Sequence, residues 1–307
     1  MGPDVGVNVR VMEPGDVDQG LRLSRAAGWN QTREDWEMFL RLSPSGCLVA
    51  VADDRVIGTV ATVSYGDRFA WIAMVLVDPI IRRRGIGTRL MTEALDVLTH
   101  VPCIRLDATP AGREVYRQLG FVDEYPVTRM ELPEPTVRAG LTIDAGAATT
   151  PSEVRPGGRP ALMSAVRPMA RDDMPAASSL DLPVFGADRA LLLAWQFARA
   201  PEFAWAHETR GAIDGYLLGR HGSHADHLGP LIAPDRRSAV GLLDACLHQR
   251  TTRPVILDAT RHDTDWYGHL YSLGFREQRS FTRMYRGAAP AGDAPDRQYA
   301  VFGPEFG

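Results

Sequence analysis

Lysine is missing altogether: all 34 basic side chains among the 307 residues are arginine. This reflects mainly the base composition of the gene. Its chemical consequence is that Schiff-base and lysine-nucleophile mechanisms are excluded. Cysteine is almost missing. Cys47, Cys103 and Cys246 lie far apart in apolar surroundings, as buried free thiols in a reducing compartment do, and do not read as a disulfide framework. No apolar run approaches the ~20 residues that span a bilayer. The opening residues MGPDVGVNVRVMEPGD lack the basic and apolar regions of a secretory signal. A cytoplasmic protein with no membrane partner is expected. An excess of positive charge is absent too: the formal charge is −4, which gives no reason to expect a nucleic-acid partner.

What is present is a chain of two-domain length, 45% apolar, that repeats itself. Residues 104–121 read IRLDATPAGREVYRQLGF and residues 256–275 read ILDATRHDTDWYGHLYSLGF. Both carry Leu-Asp-Ala-Thr, a helical stretch, and Leu-Gly-Phe. Thr-Arg-Met follows at 128–130 and again at 282–284. Leu-Gly-Phe and Thr-Arg-Met are shifted by 154 residues and Leu-Asp-Ala-Thr by 151, so the second copy carries a three-residue insertion. Three blocks in one order indicate two copies of one fold. Residues 134–162 have the proline, glycine, alanine and threonine content of a linker. The expected organisation is a first domain over 1–133, a linker over 134–162, a second domain over 163–287 and a tail over 288–307.

Periodicity and turn signals in the first copy predict the order β-α-α-β-β-β-α-β-α-β-β, a mixed α/β arrangement around one sheet. Between its apolar fourth strand (FAWIAMVLV) and the next helix stands VDPIIRRRGIGTRL. Strand, glycine loop and helix form a geometry suited to phosphate: the first helical amides are unpaired and the helix dipole favours anions. Glycines at 85 and 87 let a diphosphate approach the backbone, and Arg82, Arg83 and Arg84 supply charge and rigid donor forks. An ordinary tight turn with a solvated basic rim is the competing reading. Neither a nucleoside-triphosphate P-loop nor a dinucleotide fingerprint is present.

VLVDPIIRRRGIGTRL resembles motif A of the GNAT acetyltransferases, Gln/Arg-x-x-Gly-x-Gly/Ala, with Arg82, Gly85 and Gly87 at its defined positions. VYRQLGF resembles motif B of that family. The whole chain is similar to a bacterial subfamily with a GNAT domain, a linker, a degenerate GNAT-like domain and a Gly-Pro-Glu-x-Gly tail, here GPEFG. The resemblance implies two tandem acyl-CoA N-acyltransferase folds of mixed-sheet α/β class and acetyl-CoA as co-substrate. The pantetheine arm would lie along Val75, Leu76 and Val77, with the diphosphate on the segment Arg83, Arg84, Gly85, Ile86, Gly87 and Thr88.

Tyr116 matches the motif-B tyrosine, implied to protonate the departing thiolate; a packing tyrosine is the alternative. The carboxylate that some members carry on the fourth strand is missing, and Trp71 occupies that region. Asp107 is a candidate base, although its echo Asp258 argues that both are structural aspartates capping the next helix. In GWNQTREDW (28–36), Trp29 and Trp36 are candidate walls of an acceptor pocket, with Glu34 and Asp35 attracting an ammonium. Core tryptophans and a capped helix start explain the stretch equally.

The second copy has Ser238, Ala239 and Val240 where the first has its glycine loop, and Leu270 where the first has Tyr116. It is expected not to bind acetyl-CoA. HGSHADHLG (221–229) reads as a polar turn in preference to a metal site, and no metal is expected. The expected activity is direct acetyl transfer, in a ternary complex, to a primary amine of a small molecule. Acetylation of a protein or peptide, or non-catalytic acyl-CoA sensing, are the alternatives. A homodimer is compatible with this reading.

Overall fold

The computed structural model describes residues 6–134, 164–248, 253–260, 263–290 and 295–307. Apart from residue 134, the expected linker over 134–162 lies outside them. Among the described residues, the first half contributes β1 (Asn8–Val11), α1 (Val17–Ala26), α2 (Arg33–Leu42), β2 (Leu48–Ala52), β3 (Arg55–Tyr65), β4 (Phe69–Val77), α3 (Ile86–Val97), β5 (Cys103–Ala108), α4 (Pro110–Gln118) and β6 (Val122–Leu132). The second half contributes β7 (Ser164–Pro168), α5 (Met174–Phe185), α6 (Ala190–Arg199), β8 (Trp205–Thr209), β9 (Ala212–His221), β10 (Asp226–Ile232), α7 (Arg236–His248), β11 (Val255–Thr260), α8 (Thr264–Ser272), β12 (Arg276–Gly287) and β13 (Gln298–Ala300). No helix among the described residues is long and apolar enough to cross a membrane.

Local chemistry explains most of these boundaries. Thr32 opens α2 through a capping box with Asp35. The β2–β3 hairpin turns on Asp53 and Asp54, both at positive φ, as a tight two-residue turn requires. Pro110 begins α4, and Thr109 caps it by accepting from the Gly112 amide.

The sheet does not respect the halves. Its order is β1-β2-β3-β4-β5-β12-β6-β11-β13-β10-β9-β8-β7. The closing strand of each half has crossed to the other: β12 pairs with β5, and β6 pairs with β11. The two crossed strands also pair with each other. The expected boundaries at 133 and 163 therefore delimit sequence repeats, while the sheet is one body. The final stretch, expected as a tail, carries β13 and is buried from Gln298 through Gly307 apart from the half-buried Pro304.

Buried ion pairs lock the crossing, and they use the residues that repeat in the sequence. Arg283, from the second Thr-Arg-Met, donates through Nε and a terminal nitrogen to Asp107, at 2.9 Å each. Arg129, from the first Thr-Arg-Met, donates in the same way to Asp258, at 2.8 Å each. His227 Nε2 lies 2.8 Å from Asp258 as well. Burial alone would raise the Asp258 carboxyl, but Arg129 and His227 together hold it well below the usual carboxylate range. Asp107 thus caps no helix: Thr109 caps α4 and Asp263 caps α8.

On one face of the sheet, α1, α2, α5 and α6 share a single apolar core with Phe302 and Phe306. Phe306 stacks on Phe39 at 4.5 Å. On the other, α3 and α4 cover one core and α7 and α8 another.

Breaking one crossed pair leaves a buried charge without its partner. Asp107→Asn is expected to lower unfolding free energy by about 3–5 kcal/mol. The double variant Asp107→Leu/Arg283→Met, which removes both charges, is expected to recover most of that loss. Urea unfolding of the two variants checks this.

Candidate active site

The site begins at an irregularity in β4. Met74 sits at φ 54°, a left-handed conformation that costs a non-glycine residue on the order of 1–3 kcal/mol. The register between β3 and β4 shifts there, and Thr59 Oγ1 holds the displaced Met74 carbonyl at 2.7 Å. Beyond the bulge β4 leaves β5: the two are paired only at Ala70↔Ile104 and Trp71↔Arg105. The parted strands open a cleft between them.

The glycine loop closes the far end of this cleft. Gly85 is in the left-handed region at φ 77° and caps α3. Arg83 is also left-handed at φ 64°. A cleft of about 660 Å³ runs from this loop to α4. Val75, Leu76, Val77, Arg82, Arg83, Gly85, Ile86, Gly87 and Thr88 all line it. Arg84 does not line it and stays exposed. The cleft thus offers a displaced strand at one end and the N-terminus of α3 at the other. Those features suit an extended chain ending in a diphosphate.

A second, more enclosed chamber of about 80 Å³ adjoins the cleft. Trp29, Val75, Thr109, Tyr116 and Arg279 line both and form the neck between them. Burial pushes the Tyr116 hydroxyl up to about 12, so it holds its proton throughout the neutral range. Arg279 comes from β12 of the second half and has no ion-pair partner among the described residues.

Not every expected site residue reaches this place. Trp36 is fully buried, its indole N–H on Ser24 Oγ at 3.2 Å; it belongs to the core and walls no pocket. Asp35 is buried against Arg220 at 2.9 Å, and Glu34 pairs with Arg199, so neither lines the chamber. Asp107 touches the chamber wall, but Arg283 pairs with both its oxygens, so its carboxylate is committed to the crossed ion pair. Trp29 alone of the acceptor-loop candidates lines the cavities.

The sequence leaves open whether Glu305 of the tail reaches a cleft; the structure brings segment 303–307 to the chamber. Trp71 Nε1 donates to the Pro304 carbonyl at 2.9 Å, and the Tyr65 hydroxyl donates to the Phe306 carbonyl at 2.7 Å. Pro304 and Glu305 thereby form part of the chamber wall. Trp71 stands where a fourth-strand carboxylate was sought, and it anchors the backbone beside an acid from elsewhere in the chain.

Comparison with known proteins agrees with this geometry. The acetyltransferase (GNAT) family model matches residues 21–121, and an acetyltransferase (GNAT) domain model matches residues 177–300. The chain is a tandem GNAT acetyltransferase. A holothin acyltransferase of Pseudoalteromonas sp. is 26% identical over 274 residues, covering 87% of this chain and 84% of the relative. Among solved structures, a Pyrococcus horikoshii protein described as an acetyltransferase superposes with TM-score 0.75 at 24% identity, over 98% of this chain and 96% of that one. A tandem GNAT protein from the clavulanic acid biosynthesis pathway gives 0.59 at 19% identity, over 93% and 99%.

The GNAT fold repeats, but its cleft does not. In the second half, β10 and β11 are paired over Asp226–Leu228 and then part, as β4 and β5 do. There β13 fills the gap, pairing with β10 at Leu231 and Ile232 and with β11 at Ala259. A Cβ at Gly229, φ 144°, would overlap the Val301 carbonyl oxygen, so glycine is what lets this segment lie so close. Two histidines of 221–229 are paired with carboxylates: His221 with Glu202 and Asp226, and His227 with Asp258. The 222–225 turn docks on the first half, where Asn30 Oδ1 accepts from the His224 and Ala225 amides.

A glycine-loop cleft in the first half, with the corresponding strand gap of the second half filled by β13, predicts one acyl-CoA site. Calorimetric titration of acetyl-CoA is expected to give a stoichiometry of one. Gly85→Val, which forces a β-branched residue to φ 77°, is expected to weaken binding at least tenfold.

Proposed function

We propose that the protein transfers an acetyl group from acetyl-CoA to the primary amine of a small molecule, directly, with both substrates bound at once. The observation that carries this reading is the shared neck: one wall of residues, Tyr116 among them, borders both the long cleft and the enclosed chamber. A donor in the cleft and an acceptor in the chamber meet there with no covalent enzyme intermediate. Among the described residues, the cysteines are buried, and burial pushes the thiols of Cys47 and Cys246 up to about 12. Those two are therefore poor nucleophiles. The small volume of the chamber favours a slender amine-bearing arm.

Acetyl-CoA supplies an activated acyl group. The loop amides of 85–88 and the rim arginines Arg82 and Arg83 hold its diphosphate, and the edge of β4 at Val75–Val77 holds the pantetheine arm. Arg279 supplies positive charge at the neck, where negative charge develops on the departing sulfur. The Tyr116 hydroxyl, still protonated at neutral pH, donates to that sulfur and recovers a proton from the nitrogen.

Tyr116→Phe keeps the ring and removes the proton. It is expected to lower kcat about 100-fold while the acetyl-CoA Kd changes less than about twofold. Steady-state CoA release on an amine panel, paired with calorimetry, measures both. Parallel assays with peptides discriminate the protein-acetylating alternative. Turnover unchanged in the variant would count against a catalytic Tyr116.

A further inference from the structure

Resting on the reading above, we infer that the acceptor amine is received by Glu305 and Gln31, with Glu305 as the general base. Both side chains line the chamber. Glu305 is 3% exposed and Gln31 4%. Each presents a buried acceptor oxygen, Glu305 Oε2 and Gln31 Oε1, that has no hydrogen-bond partner. Buried polar atoms are nearly always paired, so an orphan in a cavity wall marks a group waiting for a ligand. Two orphans of the same kind, both acceptors, call for a ligand that is all donor. A primary ammonium carries three N–H donors and no acceptor.

The other oxygen of Glu305 is already committed. Oε1 accepts from Arg220, whose other terminal nitrogen donates to Asp35. This pair holds the carboxylate in place through Oε1 and leaves Oε2 without a partner. The surroundings of Glu305 are accounted for by element. Arg220 of β9 and Asp35 of α2 lie behind it, and His227 of β10 lies 3.4 Å from the Arg220 guanidinium. Arg129 of β6 and Asp107 of β5 border the chamber but are neutralised by Asp258 and Arg283. Tyr116 and Arg279 stand at the neck, and the hydroxyl of Tyr65 of β3 is occupied by Phe306. Of the two carboxylates lining the chamber, Glu305 alone has an oxygen free.

The proton inventory closes. An arriving ammonium carries three protons. One passes to Glu305 Oε2 and on to solvent, freeing the nitrogen lone pair. The nitrogen–carbon bond forms as the carbon–sulfur bond breaks. A second proton replaces the one that Tyr116 gives to sulfur, and the third stays on the amide. One free thiol, one amide and one released proton result.

The test uses the full-length protein with n-propylamine, phenethylamine and putrescine as acceptors and CoA thiol release as the signal. Glu305→Gln is expected to lower kcat/KM about 100-fold near pH 7. The deficit should shrink toward the alkaline end, where the amine, with a pKa near ~10, is already deprotonated. Acetyl-CoA affinity should stay within about twofold of wild type, which also reports that the variant is folded. A merely structural Glu305 would give a deficit independent of pH, and that result overturns the proposal. So does wild-type activity in the variant. Gln31→Leu provides a second reading should Glu305→Gln fail to fold: KM for the amine is expected to rise about tenfold with kcat unchanged, and an unchanged KM overturns the proposal. If wild type binds acetyl-CoA but acetylates none of the amines, the transfer reading itself fails and this inference with it. Turnover that ignores both substitutions refutes the inference alone.

Discussion

The structure depends on two buried arginine–aspartate pairs that cross between the halves. Arg283 on Asp107 and Arg129 on Asp258 are reciprocal: each arginine lies on the strand that has left its own half, and each aspartate on a strand that stayed. A buried guanidinium needs a carboxylate close by, since leaving either charge unpaired costs several kcal/mol. The pairs therefore disfavour arrangements in which β6 and β12 return to their own halves without their partners. They also stiffen the place where the site is built. Asp107 is on β5, the strand that β4 leaves; Arg283 packs over Trp71 on β4, at 4.7 Å from the ring centre; and Trp71 in turn holds Pro304.

This constraint explains why the repeat is visible where it is. Leu-Asp-Ala-Thr and Thr-Arg-Met survive in both copies because each block of one copy is paired with the other block of its partner copy. The glycine loop is present only in the first copy, because only there is the strand gap open; in the second, β13 lies in it. The two kinds of similarity answer to different physics. The first is fixed by burial of charge and the second by the presence of a ligand-sized opening.

Local chemistry was legible in the sequence: the element order of the first half, the capped helix start in 28–36, and the glycine loop at 85–87. The residues lining the long cleft were legible as well, because strand, glycine and helix N-terminus are contiguous in the chain. Three features were not. The strand crossing is set by pairings more than 100 residues apart, and no local signal distinguishes a strand that stays from one that leaves. The bulge in β4 falls on Met74, a residue type that gives no hint of left-handed backbone. The chamber wall draws on Gln31, Arg279 and Glu305, contributed by the loop before α2, a crossed strand and the last strand-and-turn segment. Trp36 and Asp35 misled for the same reason: an acidic turn flanked by tryptophans looks identical whether it faces a cavity or, as here, the core and the buried Arg220.

The second half has become the wall and anchor of the first. Its own gap is closed by β13, and the chain leaving β13 runs through Phe302 and Phe306 of the shared core to set Glu305 at the chamber. Closing one cleft and furnishing the other are thus two consequences of one segment's path. The long cleft is built almost wholly from the first half, whereas the chamber takes walls from both halves and from this segment. Gln31 and Glu305 line the chamber and not the long cleft, whereas Arg279 borders both. The two cavities thus differ in which parts of the chain build them, although they meet at a neck within one continuous sheet.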